Sequence, residues 1–162
     1  MNIALLRDGE ALLGVTFDPN RGTCVAGGPG RGVRINGRPT LASRATRLED
    51  AVVVADLGFR AGRARLMQQT LRVLLPEVQA VRTIGSAALA LAWTASGHAD
   101  LCLHAALYPW DVAAALALIP AAGGTIADRD GGPAHIRSQG VVAGAPAVVR
   151  EYLARFGARP WR

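Results

Sequence analysis

Two helix starts carry the residue types that could do chemistry in this chain. Asp111 follows Trp110 at the head of a long apolar run, Asp111 to Ala122. A carboxylate there has a default duty: it caps the free backbone N–H groups of the first turn, worth about 1 kcal/mol. Gly85, Ser86 and Ala87 open a second run of small apolar residues that stops at Gly97. Ser86 can cap that helix, or the N–H groups at its start can meet an anion or a hydroxyl. The glycine-rich stretch from Gly27 to Gly37 begins GGPGRG and has the composition of a phosphate cradle. No helix start follows it, so turns between short antiparallel strands are the expectation. Cys24 and Cys102 have neither CxxC spacing nor a histidine at metal-like spacing. Reduced, part-buried thiols are expected.

The elements that must position these groups begin with strands. Asn2–Arg7 and Leu12–Phe17 are short apolar runs separated by Asp8-Gly9, a hairpin signal, and Thr23–Ala26 follows the turn Asp18-Pro19-Asn20. Ala51–Ala55 is a continuous, largely β-branched run, which suits a strand buried on both faces. Leu66, Thr70, Val73 and Leu74 recur at near-helical spacing within Arg63–Leu75, and Pro76 ends that helix. Val78–Ile84, Asp100–Leu103, Gly124–Ala127 and Gly140–Ala143 read as further strands. Ser86–Ser96, Asp111–Ala122 and Pro146–Phe156 read as helices. Strands first, then strands alternating with helices, predict a mixed α/β domain.

Bulk properties narrow the function classes. A chain of 162 residues that is 51% hydrophobic suits one domain burying roughly 70% of its unfolded surface. The most apolar stretch, Leu101 to Ile119, is broken by His104 and Asp111 and does not span a membrane. The opening MNIALLRDGE is too short and too quickly charged for a secretory signal, so the expected location is cytoplasmic. The net charge of +6 comes from 18 arginines and no lysine. They are scattered, with only loose groupings at Arg60, Arg63 and Arg65 and at Arg155, Arg159 and Arg162. With three Phe, three Trp and two Tyr there is little to stack bases on, so nucleic-acid recognition is not expected.

Three segments, in order, resemble the inositol monophosphatase family. IALLRDGEALLGVTFDP, from Ile3 to Pro19, with the following AGGPGRGVRINGRP, resembles the family's strand pair and its glycine-rich hairpin. RTIGSAALALAWTASGHAD, from Arg82 to Asp100, resembles the pattern R-x-x-G-S-A-A followed by A-x-G-x-x-D. PWDVAAALALIPAAGGTIADRDG, from Pro109 to Gly131, resembles the C-terminal W-D-x-A-A-G signature. The two helix starts lie about 25 residues apart, and the resemblance runs from Ile3 to about Tyr152.

The resemblance implies an incomplete layered α/β sandwich of the sugar-phosphatase type, with mixed sheets flanked by helices, in one domain over residues 1–162. It implies a Mg2+-dependent phosphomonoesterase of a small inositol-like or sugar-like phosphate. Asp111 matches a magnesium ligand that also approaches substrate. Gly85, Ser86 and Ala87 match the group that contacts the alcohol side, and Trp110 is expected to pack beside the site. His104 stands where inositol-specific members carry Glu, and Ala121 replaces the glutamate of E-A-G-G. Asp100 could support the site, but the favoured reading is that it only terminates a strand. The family's G-E-E and D-P-I/L-D-G-T metal segments would precede Ile3. DPNRGT, from Asp18 to Thr23, looks like the second of these, but Arg21 occupies the place of an aspartate, and a guanidinium cannot ligate magnesium.

Three expectations follow. Magnesium binding is weak and phosphatase activity of the chain alone is negligible. An apolar face or open sheet edge is left bare, so the chain associates with itself or with a complementary chain, by resemblance as a dimer. The alternative is a non-catalytic remnant that binds a protein partner or a phosphorylated metabolite.

Overall fold

The antiparallel hairpins expected at the start of the chain are present, and they extend through the glycine-rich stretch. The computed structural model describes residues 1–58 and 61–157, and only the backbone of Ala61 and Arg63. Arg60, Arg159 and Arg162 therefore lie outside the described residues. Sheet one is a meander of β1 (Asn2–Arg7), β2 (Glu10–Asp18), β3 (Thr23–Gly28), β4 (Gly32–Ile35) and β5 (Arg38–Thr40), each paired antiparallel with the next. Asp8-Gly9 and Asn36-Gly37 close two-residue turns with positive φ at both residues, the conformation that matches strand twist. The GGPGRG stretch is therefore strand and turn, not a cradle.

The second half alternates. β6 (Val52–Ala55) leads to α1 (Ala61–Leu74), then β7 (Ala80–Arg82), α2 (Ala87–Ala95), β8 (Leu101–His104), α3 (Pro109–Ala121), β9 (Thr125–Asp128), β10 (Val141–Gly144) and α4 (Pro146–Phe156). Sheet two has the order β7-β6-β8-β10-β9. β6 runs parallel to β7 and β8, while β10 is antiparallel to β8 and β9. The strand expected over Val78–Ile84 is shorter than its apolar content suggests. A one-turn 3-10 helix at Leu75–Glu77 precedes it, and Thr83 leaves the ladder to donate its hydroxyl to the Ala55 carbonyl at 3.1 Å.

Burial explains the layers. In sheet two, Val54, Cys102, Val141 and Ala143 face a core shared with α2, α3 and Val25 and Val33 of sheet one. Val53, Ala55, Leu101, Leu103 and Val142 face a second core with Met67 and Leu74 of α1 and Val148, Val149 and Tyr152 of α4. Alternate residues of one strand thus serve opposite cores, which is why these strands are apolar at every position. α2 and α3 are apolar all round because each lies between the two sheets. Cys102 is fully buried and burial pushes its thiol up to about 12, while Cys24 is half-buried; both are free.

Among the described residues, nothing covers the outer face of sheet one. Ile3 pairs with Val15 and Leu5 with Leu13, and Met1, Ile3, Leu5, Leu13 and Phe17 are all exposed. β1 is also an open edge of that sheet. Among the described residues, no helix is long and apolar enough to cross a membrane.

Candidate functional site

The five residues singled out from the sequence, Gly85, Ser86, Ala87, His104 and Asp111, line one cavity of about 720 Å³. The parallel strands explain why they meet. β6, β7 and β8 end side by side, and the residues at their carboxyl ends, Asp56, Thr83 and His104, form one wall. Gly85, with φ of +78°, turns the chain from β7 into α2. Ser86 then caps α2 by accepting the Leu89 N–H at 3.4 Å. Ser86 and Ala87 at this helix start line the cavity, where first-turn amides have no carbonyl one turn back.

Asp111 enters from α3, although not as the cap. The sequence placed the helix start at Asp111; the helix begins at Pro109, whose fixed φ suits a first position, and Tyr108 is the capping residue. Asp111 reaches back and accepts the Tyr108 N–H at 3.0 Å. The same helix start is tied to sheet one. Asn2 donates through Nδ2 to the Trp110 carbonyl at 2.8 Å, and Thr16 donates to Asn2 Oδ1 at 2.7 Å. Trp110 lies beside the cavity, outside its lining and against the lining residue Tyr108. It is 66% exposed and stacks on Tyr108 with ring centroids 4.8 Å apart.

His104 is buried, and its Nδ1 accepts the Ala106 N–H at 3.4 Å. That bond assigns the proton of the neutral ring to Nε2. Burial lowers the His104 pKa from its ordinary 6.5, against the opposing pull of the Asp56 and Asp111 charges, so the ring is neutral at pH 7. Asp56 was missed in the sequence, yet it directly follows the buried run Ala51–Ala55, where a polar residue at the end of a parallel strand is itself a signal. Its Oδ1 accepts the Gly85 N–H at 2.9 Å. Arg137, Ser138 and Gln139 complete the lining from the loop between β9 and β10. Nothing in the sequence announces them, because only the docking of that loop brings them in.

Other candidates take structural places. Asp100 does not end a strand but precedes β8. Its carboxylate accepts the Ser43 hydroxyl and, at 2.7 Å, the Val52 N–H, so it clamps the entry of β6. DPNRGT is a turn. Asp18 Oδ1 accepts the Asn20 N–H and Oδ2 the Arg21 guanidinium, both at 3.0 Å. The Arg21 guanidinium holds the Asp18 carboxyl below its ordinary 3.8.

A hard divalent cation takes several oxygen ligands. Asp111 already spends one oxygen on a backbone amide, and Asp56 faces a histidine N–H. Among the described residues, no three His, Cys, Asp or Glu side chains group so as to hold an ion. The residues present do not fit a magnesium site by themselves.

The profile of the inositol monophosphatase family matches residues 1–157, nearly the whole chain. The chain belongs to the inositol monophosphatase family. An inositol-1-monophosphatase of Mesorhizobium japonicum is 35% identical over 156 residues, 94% of this chain and 58% of that protein. The Nus factor SuhB of Salmonella typhimurium is 33% identical over 157 residues, 96% of this chain and 59% of that protein. The solved structure of the extragenic suppressor protein SuhB from Bartonella henselae superposes with a TM-score of 0.89 at 30% identity, covering 98% of this chain and 60% of that one. The layered α/β fold is thus the family's. The chain spans about 60% of the length of the relatives it matches.

Proposed function

We propose that this chain carries the alcohol-binding side of a Mg2+-dependent phosphomonoesterase site for inositol phosphate or a related small sugar-like phosphate. One observation carries the reading: the start of α2, the neutral His104, Arg137 and Asp111 line a single cavity. An α-helix start and an arginine favour an anionic phosphate ester. Thr83, Ser138 and Gln139 in the same lining suit a hydroxylated leaving group. Magnesium chemistry would supply an activated water and shield the phosphate charge. This chain's described carboxylates are too few to hold that ion firmly, so we propose that the chain alone binds esters and turns them over negligibly. In this reading Gly85, Ser86, Ala87, His104 and Asp111 bind the substrate, with Asp111 the one candidate metal ligand among the described residues.

The test pairs turnover with binding. Purified chain is titrated with myo-inositol 1-phosphate by calorimetry and assayed for phosphate release with and without Mg2+. Binding with release at the level of buffer is expected. Robust Mg2+-dependent release would overturn the proposed inactivity, and absence of binding would overturn the phosphate-ester site.

The bare apolar face of sheet one favours a second reading, in which the chain works as a binding module for a protein partner or a second copy of itself. The name Nus factor borne by the SuhB relatives supports that reading by similarity.

A further inference from the structure

Arg137 is the one cation among the described residues that line the cavity. Asp56 and Asp111 share that lining, and either would be a natural partner for a guanidinium. Among the described residues, however, the Arg137 guanidinium forms no ion pair and no hydrogen bond. The two carboxylates are engaged elsewhere. Asp111 accepts the Tyr108 N–H, and Asp56 accepts the Gly85 N–H through Oδ1 while its Oδ2 is buried. An anion entering the cavity thus has Arg137 and the start of α2 in its favour. Against it stands Asp111, the one carboxylate of the lining that is not buried.

The backbone fixes where Arg137 stands. His135 to Ser138 is a tight turn, closed by the Ser138 N–H on the His135 carbonyl at 2.8 Å. Two side chains brace it. Ser138 Oγ accepts the His135 N–H at 3.0 Å, and His135 Nδ1 accepts the Arg137 N–H at 3.1 Å. The turn is docked on the exit of β8, where the Leu107 N–H donates to the Gln139 carbonyl at 3.0 Å. Gly140 sits so close that a Cβ there would lie 2.7 Å from the His104 carbonyl oxygen. An arginine carried on a loop braced in this way loses less freedom when it meets a ligand.

A phosphate ester brings negative charge that some cation must offset, and the lining does not fit magnesium by itself. A guanidinium suits the task. It is always charged, and its planar fork donates to two phosphate oxygens side by side. We propose that Arg137 anchors the phosphoryl group directly, so that this chain binds its ester without a divalent cation. The inference rests on the phosphate-ester reading of this cavity and deepens it by naming the residue that makes binding independent of Mg2+. Arg137 lies beyond the Pro109 to Gly131 segment that carries the C-terminal signature, so that motif does not point to it.

The experiment titrates inorganic phosphate and myo-inositol 1-phosphate into the full chain by calorimetry, once in EDTA and once in Mg2+. Both ligands are expected to bind in EDTA, with the same affinity as in Mg2+. Arg137→Gln is expected to weaken both about tenfold or more, as loss of a charged hydrogen bond should. Arg72→Gln removes an exposed arginine of α1 outside the lining and is expected to leave both affinities unchanged. Binding that appears only with Mg2+ overturns the anchor and leaves the phosphate-ester site standing. So does a folded Arg137→Gln chain that binds both ligands in EDTA as the wild type does. An equal loss in Arg72→Gln traces the effect to net charge and overturns the anchor as well. If neither ligand binds in either medium, both proposals fall together. The wild-type comparison of EDTA with Mg2+ decides the matter even if Arg137→Gln does not fold.

Discussion

A neutral histidine held in a pocket makes stability depend on pH in a definite direction. Unfolded, His104 titrates near its ordinary 6.5; folded, burial holds it lower. Between those two values the unfolded chain binds a proton that the folded chain refuses. Stability is therefore fully present above 6.5 and is lost as pH falls through this window. Urea midpoints measured from about pH 7.5 to about pH 5.5 should fall, and His104→Gln should flatten that slope. An unchanged slope in the variant would show that His104 is not the group responsible. Asp18 does not confuse the reading. Its folded pKa is depressed, so its contribution persists above the ordinary 3.8 and is lost only as pH falls below that, outside the histidine window.

The packing of α3 on sheet one is what brings Asp111 to the cavity. The two approach so closely that a Cβ on Gly14 of β2 would lie 2.3 Å from the Ala114 carbonyl oxygen. Backbone cannot yield as a flexible side chain can, so Gly14→Ala must push the helix off the sheet. We expect about 1–3 kcal/mol of destabilisation, together with weaker ester binding because Asp111 and the Asn2 tie move with the helix. Gly62 in α1 is the contrast. An added Cβ there meets nothing, and the residue is helical and exposed. Gly62→Ala should raise stability by up to about 1 kcal/mol. Chemical denaturation of the two variants tests both signs at once, and a neutral Gly14→Ala would mean that the sheet and α3 are less tightly joined than the geometry states.

At the level of the whole molecule, the described residues place helices on a single face of sheet one. Sheet two is covered on both sides, whereas sheet one presents Met1, Ile3, Leu5, Leu13 and Phe17 to solvent beside an open edge strand. Such a face favours association through burial of apolar surface. Sedimentation velocity of the purified chain should show concentration-dependent association. The double variant Ile3→Lys, Leu5→Lys should shift it to monomer while circular dichroism stays the same. A wild-type chain that remains monomeric at high concentration would count against both self-association and the binding-module reading.

The amino-acid order alone was enough for the local part of this protein. Short apolar runs bounded by turn residues located most strands and helices, Asp8-Gly9 and the glycine-rich stretch ending in Asn36-Gly37 marked turns, and the motifs around Gly85 and Trp110 pointed to the family and to five lining residues. Those signals are short-range: they depend on backbone preference and on which neighbours along the chain are apolar. Only the tertiary structure decided what meets across the chain. It made Asp111 the third residue of its helix, turned Trp110 outward, gave Asp100 a clamping duty, and set Asp56 opposite His104 with Arg137 arriving from a distant loop. Such juxtapositions follow from strand order and helix docking, where one residue's partner is selected by packing of whole layers and leaves no mark in the sequence beside it.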